Sequence, residues 1–155
     1  MSAPYEGYMV LSVKQLERRD MGAVAIVHRI SFDDRLPWLA GLHTPDEDHS
    51  FFSTVVFDDC EVWGAFDGAK LIGFIAFKEG HIEQLYVLPE YQFKGVGSGL
   101  LAVAKQRNRE LSLWTFQRND AARRFYESRG FVAVEHTDGA RNEEREPDVR
   151  YLWRA

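Results

Sequence analysis

The sequence predicts a mixed α/β fold, and three observations carry that prediction. Three strand-like runs follow one another at residues 61–66, 70–78 and 81–88, separated by the turn pairs Asp67-Gly68 and Glu79-Gly80. Upstream, residues 20–30 have helical spacing, with Val24, Val27 and Ile30 on one face. Downstream, the glycine-rich stretch Gln92-Phe93-Lys94-Gly95-Val96-Gly97-Ser98-Gly99 stands between an apolar strand-like run and a helix-like run containing Leu100, Leu101, Val103 and Ala104.

Taken in order, residues 8–13 read as a first strand and 20–30 as a helix. Pro37 interrupts any helix in 31–42. Thr44-Pro45-Asp46-Glu47 is a capping box with Pro at the first helical position, so a second helix starts there. The three runs of 61–88 form an antiparallel meander. The helix after the glycine loop leads to a strand at 111–116. Asn119 can cap the next helix and Gly130 can end it in the left-handed conformation. Residues 131–136 and 149–153 read as closing strands, the last bounded by Pro147. The order is β-α-α-β-β-β-α-β-α-β-β. No repeat, low-complexity tract or linker interrupts it, so residues 1–155 read as a single domain.

Composition bounds the function. Of 155 residues, 45% are hydrophobic and 28% charged, as in a folded globular chain rather than a disordered one. A formal net charge of −5 argues against nonspecific nucleic-acid binding. No apolar run reaches membrane-span length, and the first residues lack a secretory pattern. The single Cys60 cannot pair internally, which fits a reducing, cytoplasmic setting.

A glycine-rich turn that opens a helix gathers unpaired backbone N–H groups at the positive end of the helix dipole, and so favours a bound phosphate. A nucleoside-triphosphate P-loop needs Lys-Ser/Thr after its second glycine, whereas Leu100-Leu101 follow Gly99. A dinucleotide fingerprint needs a third glycine where Leu100 stands and an acid ending the next strand, where Gln117-Arg118 occur. A nicotinamide-dependent redox domain is thereby disfavoured.

The remaining pattern, Q-x-x-G-x-G after a strand ending Val87-Leu88-Pro89-Glu90, resembles the coenzyme A pyrophosphate loop of the GNAT superfamily of acyl-CoA-dependent N-acyltransferases. The likeness continues through Asn119, Phe125-Tyr126 and Gly130-Phe131 at the family's spacing. Together the two motifs span about a third of the chain. The resemblance implies a GNAT fold, a mostly antiparallel central sheet with flanking helices. It also implies transfer of an acetyl group from acetyl-CoA, as co-substrate, to a primary amine by direct attack in a ternary complex. No metal is implied.

The resemblance assigns residues as well. The main chain of Leu85, Tyr86 and Val87, on a strand that splays from its neighbour, would pair with the pantetheine arm and donate an N–H to the oxyanion. Gln92, Phe93, Lys94, Gly95, Val96, Gly97 and Ser98 would hold the pyrophosphate. Asn119 would touch the coenzyme, and Tyr126 would lie near the thioester sulfur. A non-catalytic coenzyme A-binding sensor of the same fold is the alternative.

The base is chosen by position on the strand. His81 and Glu83 alternate onto one face with Leu85 and Val87, and relatives often carry a glutamate at the position of His81. Either could take the amine's proton, or be a polar residue at a hairpin end. Cys60 lies among Asp58, Asp59 and Glu61, which disfavour a thiolate, so it reads as a bystander. The metal-ligand types between His43 and His49 are explained by the capping box and match no zinc spacing.

The polar segment 138–148 is either a solvated loop or a lid whose carboxylates recognise the acceptor. Its Asn142-Glu143-Glu144…Pro147-Asp148-Val149…Tyr151…Trp153 ending is similar to that of a bacterial GNAT group. The expected partners are a small-molecule amine or a peptide N-terminus, with no nucleic acid or membrane. A homodimer through an exposed terminal strand is also compatible with the resemblance.

Overall fold

The computed structural model describes residues 10–155. Seven strands form one sheet in the order β1-β2-β3-β4-β5-β7-β6. They are β1 Leu11–Gln15, β2 Glu61–Asp67, β3 Lys70–Lys78, β4 His81–Val87, β5 Glu110–Phe116, β6 Val132–His136 and β7 Asp148–Arg154. Neighbours are antiparallel except β4 and β5, which run parallel. The helices are α1 Met21–Arg35, α2 Pro45–Phe51, α3 Phe57–Asp59, α4 Val96–Arg107 and α5 Asp120–Glu127. The expected order of elements is present, and α2 runs on through a π-helical stretch, Phe52–Val56, into the single turn α3.

The middle of the sheet is dry on both sides. Residues 71–77 of β3 are all buried, which explains why this strand is a continuous apolar run instead of an alternating one. On one face Phe74 packs edge-on against Phe52 at 5.7 Å, and Tyr86 meets His28 of α1 at 4.8 Å. On the other, Leu100 of α4 closes on Gly73 and Val87. Thus α1 and α2 cover one face, and α4 with α5 the other.

The helix boundaries follow local chemistry. Thr44 Oγ1 accepts from Glu47 N–H at 3.1 Å while Thr44 N–H donates to Glu47 Oε1 at 2.8 Å, completing the capping box. Asn119 Oδ1 accepts from Ala122 N–H at 3.2 Å. Gly130 takes the left-handed conformation after α5, at φ 91°.

Four expectations need correction. The first helix continues to Arg35, because helix geometry is disfavoured only at Leu36, the residue before Pro37. Ile30 is 47% exposed; it lies roughly 240° around the helix from Val24, away from the face that Met21, Val24, Ala25 and Phe32 bury. Among the described residues the first strand runs Leu11–Gln15, without Val10 and two residues past the expected end; Tyr8 and Met9 lie outside the described residues. The last strand is not an exposed edge: β7 sits between β5 and β6, and β6 is the border on that side. Among the described residues no helix is long and apolar enough to cross a membrane.

Candidate active site

The site begins where two strands part. The pairing of β4 with β5 consists of one register match, His81 with Ser112. There His81 Nδ1 meets Ser112 Oγ at 2.8 Å, and Ser112 N–H donates to Gly80 O at 2.9 Å. Beyond this point β4 and β5 share no further pairing. One main-chain edge of β4 around Leu85, Tyr86 and Val87 therefore has no strand partner.

A bulge decides where the side chains of β4 go. Ala76 faces Gln84 and Phe77 faces Ile82, which leaves Glu83 as an extra residue in β4. The strict alternation expected for His81, Glu83, Leu85 and Val87 is broken there. Leu85 and Val87 point to the α4–α5 side, and Glu83 joins Gln84 on the α1–α2 side. His81 pairs with Lys78, which puts it on the face opposite Leu85 and Val87.

Two cavities meet at this parting. The smaller, about 430 Å³, is lined by Leu85, Tyr86 and Val87, the glycine loop, Asn119 and one flank of α5 including Tyr126. Its charged lining residues are Arg35, Arg124 and Arg129, with no carboxylate. The larger, about 1140 Å³, lies on the α1–α2 side under the β6–β7 loop and is lined by eight carboxylates against two arginines. Tyr86 and Asn119 line both.

The glycine loop supplies the floor of the smaller cavity. Gly95 caps α4 in the left-handed conformation, at φ 86°. Gly99 N–H bonds back to Gly95 O, so the N–H groups of Val96, Gly97 and Ser98 are the unpaired donors of this helix start. At Gly97 a Cβ would lie 3.1 Å from the Phe125 ring, so close approach of α4 to α5 requires glycine. Gln92 braces the loop: its Nε2 donates to Val87 O at 3.0 Å and its Oε1 accepts from Arg35. Ser98 Oγ is held by Arg129, whose guanidinium stacks 3.8 Å from the Phe125 centroid. Phe93, at φ 61° and 93% exposed, stands at the mouth.

Tyr126 is 7% exposed and packs edge-on against Phe125 and Phe131. Its hydroxyl has no hydrogen-bond partner among the described residues. Burial, then the neighbouring Tyr86 phenol, pushes its pKa well above the ordinary tyrosine value, so it is a neutral donor at physiological pH.

Most carboxylates of the larger cavity are engaged. Asp48 holds Arg29 through two 2.8 Å bonds, and this pairing draws its carboxyl below the usual range. Glu83 pairs with Lys78 at 2.9 Å and Glu135 with Arg150 at 3.3 Å. Glu143 bonds His43 Nε2 at 2.8 Å across the cavity mouth. Asp148 accepts from Thr137 and Asn142, Glu47 belongs to the Thr44 cap, and Asp138 accepts from Ala140 N–H. Glu144, half-buried, is the one lining carboxylate with no donor among the described residues.

Residues 58–133 match the family described as the acetyltransferase (GNAT) domain. The matched stretch is a GNAT acetyltransferase domain. A peptidyl-lysine N-acetyltransferase, YiaC, of Escherichia coli is 32% identical over 74 residues, 47% of this chain and 51% of that protein. A spermidine N(1)-acetyltransferase of Thermoplasma acidophilum is 36% identical over 86 residues, 50% of this chain and 53% of that one. The chain thus spans about half the length of these curated relatives. Over nearly its whole length, 95%, it superposes on all of a Thermoplasma acidophilum PaiA N-acetyltransferase solved in complex with coenzyme A, with a TM-score of 0.73 and 25% identity.

Within this GNAT domain, Leu85, Tyr86, Val87, Gln92, Phe93, Gly95, Gly97, Ser98, Asn119 and Tyr126 converge on the smaller cavity. Lys94 and Val96 do not line it. The Lys94 ammonium lies 5.8 Å from the Tyr91 ring centroid, and the Val96 side chain is buried in the core, leaving only its N–H toward the loop. Glu83 lines the larger cavity; His81 lines neither, tied to Ser112 at the closed end of the strand parting. Cys60 is half-buried, and burial, then the charge of Glu83, pushes its thiol up to about 11. The β6–β7 segment proves to be a braced cavity wall. Buried Glu146 accepts from the Trp38 indole, and Asn142 Nδ2 donates to Glu146 O at 2.7 Å.

Sequence reasoning missed the α1 contribution. Ser31 Oγ is buried beside the smaller cavity without a partner among the described residues. His28, wedged among Phe32, Phe52 and Tyr86, has an unpartnered buried Nδ1, and burial lowers its pKa to about 4. No local motif marks either one; only helical phase relative to the later Tyr86 would reveal them.

Because His28 is neutral in the fold and titrates near 6.5 when unfolded, the unfolded chain binds more protons between those values. Stability contributed by the neutral imidazole is present above pH 6.5 and is lost as pH falls toward 4. Denaturant unfolding from pH 7 to pH 4 should show His28→Phe losing less stability than the parent, by on the order of 2 kcal/mol.

Proposed function

We propose that the chain is an N-acetyltransferase carrying an acetyl group from acetyl-CoA to a primary amine by direct attack in a ternary complex, with residues 1–155 as one catalytic domain. The observation that carries this reading is the meeting of two oppositely charged cavities at Tyr86 and Asn119 through the parting of β4 and β5. A polyanionic coenzyme suits the arginine-lined side with its helix N-terminus, and an amine suits the carboxylate-lined side. The names of the relatives, acting on lysine side chains and spermidine, support an amine acceptor. A small-molecule amine or an extended peptide end fits a cavity of about 1140 Å³.

In this mechanism the pyrophosphate accepts from the N–H groups of Val96, Gly97 and Ser98. The pantetheine arm pairs with the free edge of β4 as an added strand would, and a main-chain N–H of Leu85–Val87 donates to the oxyanion. The neutral amine attacks the thioester carbon and the C–S bond breaks. With its raised pKa, Tyr126 stabilises the leaving thiolate by hydrogen bonding rather than by full proton transfer. Of the two base candidates, Glu83 lies on the acceptor wall, and His81, 3.8 Å behind it, acts through it. Burial lowers the His81 pKa, so its imidazole can take up a proton only transiently at neutral pH.

The direct test is thiol release from acetyl-CoA with a panel of alkyl amines, diamines and peptides. Acceptor-dependent release is expected; tight acetyl-CoA binding with no turnover on any acceptor would instead favour a sensor. Calorimetry should find no measurable acetyl-CoA binding by Gly97→Asp, whose side chain brings both a clash with Phe125 and a negative charge to the phosphate position; retained affinity would refute the loop assignment. Tyr126→Phe should lower kcat by about a hundredfold while leaving acetyl-CoA affinity nearly intact. An unchanged kcat removes the tyrosine from the chemistry.

A further inference from the structure

Resting on the reading of the larger cavity as the acceptor site, one residue of the β6–β7 loop acquires a specific task. Four other polar residues of that segment have a structural job. Asn142 ties the loop to Glu146 and Asp148, Glu143 reaches His43 across the mouth, Glu146 is anchored by Trp38, and Asp148 accepts from Thr137. Glu144 has none. It is half-buried, faces the cavity, and makes no hydrogen bond or ion pair among the described residues.

Its position within the cavity is marked by Tyr86. Glu144 and Tyr86 line the same cavity, and Tyr86 also lines the smaller one; after burial, the charge of Glu144 adds to the rise of the Tyr86 phenol. A partly desolvated carboxylate without a partner is unfavourable unless a ligand supplies one. Of the two lining arginines, Arg29 is committed to Asp48 and Asp33, and the nearby Lys78 and Arg150 are paired with Glu83 and Glu135. Arg141, on the same loop, is exposed and forms no ion pair with it.

We propose that Glu144 receives the ammonium of the incoming acceptor beside Tyr86, so that the enzyme selects cationic alkyl amines over neutral or anionic ones. A carboxylate here holds the nitrogen at the mouth of the strand parting until its proton passes to the base on β4. Glu144 is thus a specificity-determining contact for the acceptor, and the coenzyme side is independent of it.

The experiment compares the parent protein with Glu144→Gln and Glu144→Asp, using 1,4-diaminobutane and an N-blocked lysine amide. Steady-state kinetics should give an amine KM raised about tenfold or more in Glu144→Gln, with kcat within about threefold, the KM for acetyl-CoA unchanged, and partial recovery in Glu144→Asp. An amine KM equal to that of the parent overturns the proposal. Calorimetry with 1,4-diaminobutane separates this from failure of the acetyltransferase reading. If the parent transfers acetyl to neither amine but binds the diamine only while Glu144 is present, the cation contact at Glu144 stands and the diamine is ruled out as the acetyl acceptor. No binding, or binding that survives Glu144→Gln, overturns the proposal.

Discussion

The single bridge between β4 and β5 governs the rest of the molecule. Parallel neighbours are not tied by a hairpin, so their spacing depends on whatever bonds fix one end. Here those bonds cluster around Gly80, His81, Asn108 and Ser112. Past them the strands separate, and main-chain groups that an ordinary sheet would pair are left to other partners. Gln92 takes one of them, Val87 O, and in doing so fastens the glycine loop to the opening. The gap, the loop and the junction of the two cavities are therefore one structural unit.

Charge is sorted across that unit. The side floored by the α4 N-terminus carries arginines, and the side walled by the β6–β7 loop carries carboxylates. Fixed charges of opposite sign on the two sides favour an anionic ligand on one and a cationic ligand on the other. The two phenols at that point, Tyr86 and Tyr126, are held neutral by burial, so they can donate hydrogen bonds without adding charge. The thiol of Cys60, which lines neither cavity, is held neutral in the same way and is a poor nucleophile.

Much of this was legible in the chain because it is encoded within a few residues. The Thr44–Glu47 box, the Asn119 cap, the left-handed Gly95 and Gly130 and the two hairpin turns all appear where their residue types require them. The errors share a different cause. Alternation along β4 assumed a regular ladder, and the bulge at Glu83 arises from pairing with β3, which residue order does not reveal. Ile30 fitted a helical stripe but lies off the face that the sheet selects. The last strand in sequence became an interior strand because β6 reaches the border instead.

From its sequence alone this protein declared a glycine-rich helix start, its capped helices and its meander, since hydrogen bonds and steric limits among near neighbours suffice to specify them. Tertiary structure decided which distant groups share a cavity. It turned Glu83 to the wall of the larger cavity, set His28 and Ser31 against Tyr86 and the glycine loop, and folded residues 137–148 into a braced wall that presents Glu144. Those outcomes depend on strand register and helix phase between segments far apart in the chain, and no short-range rule contains that information.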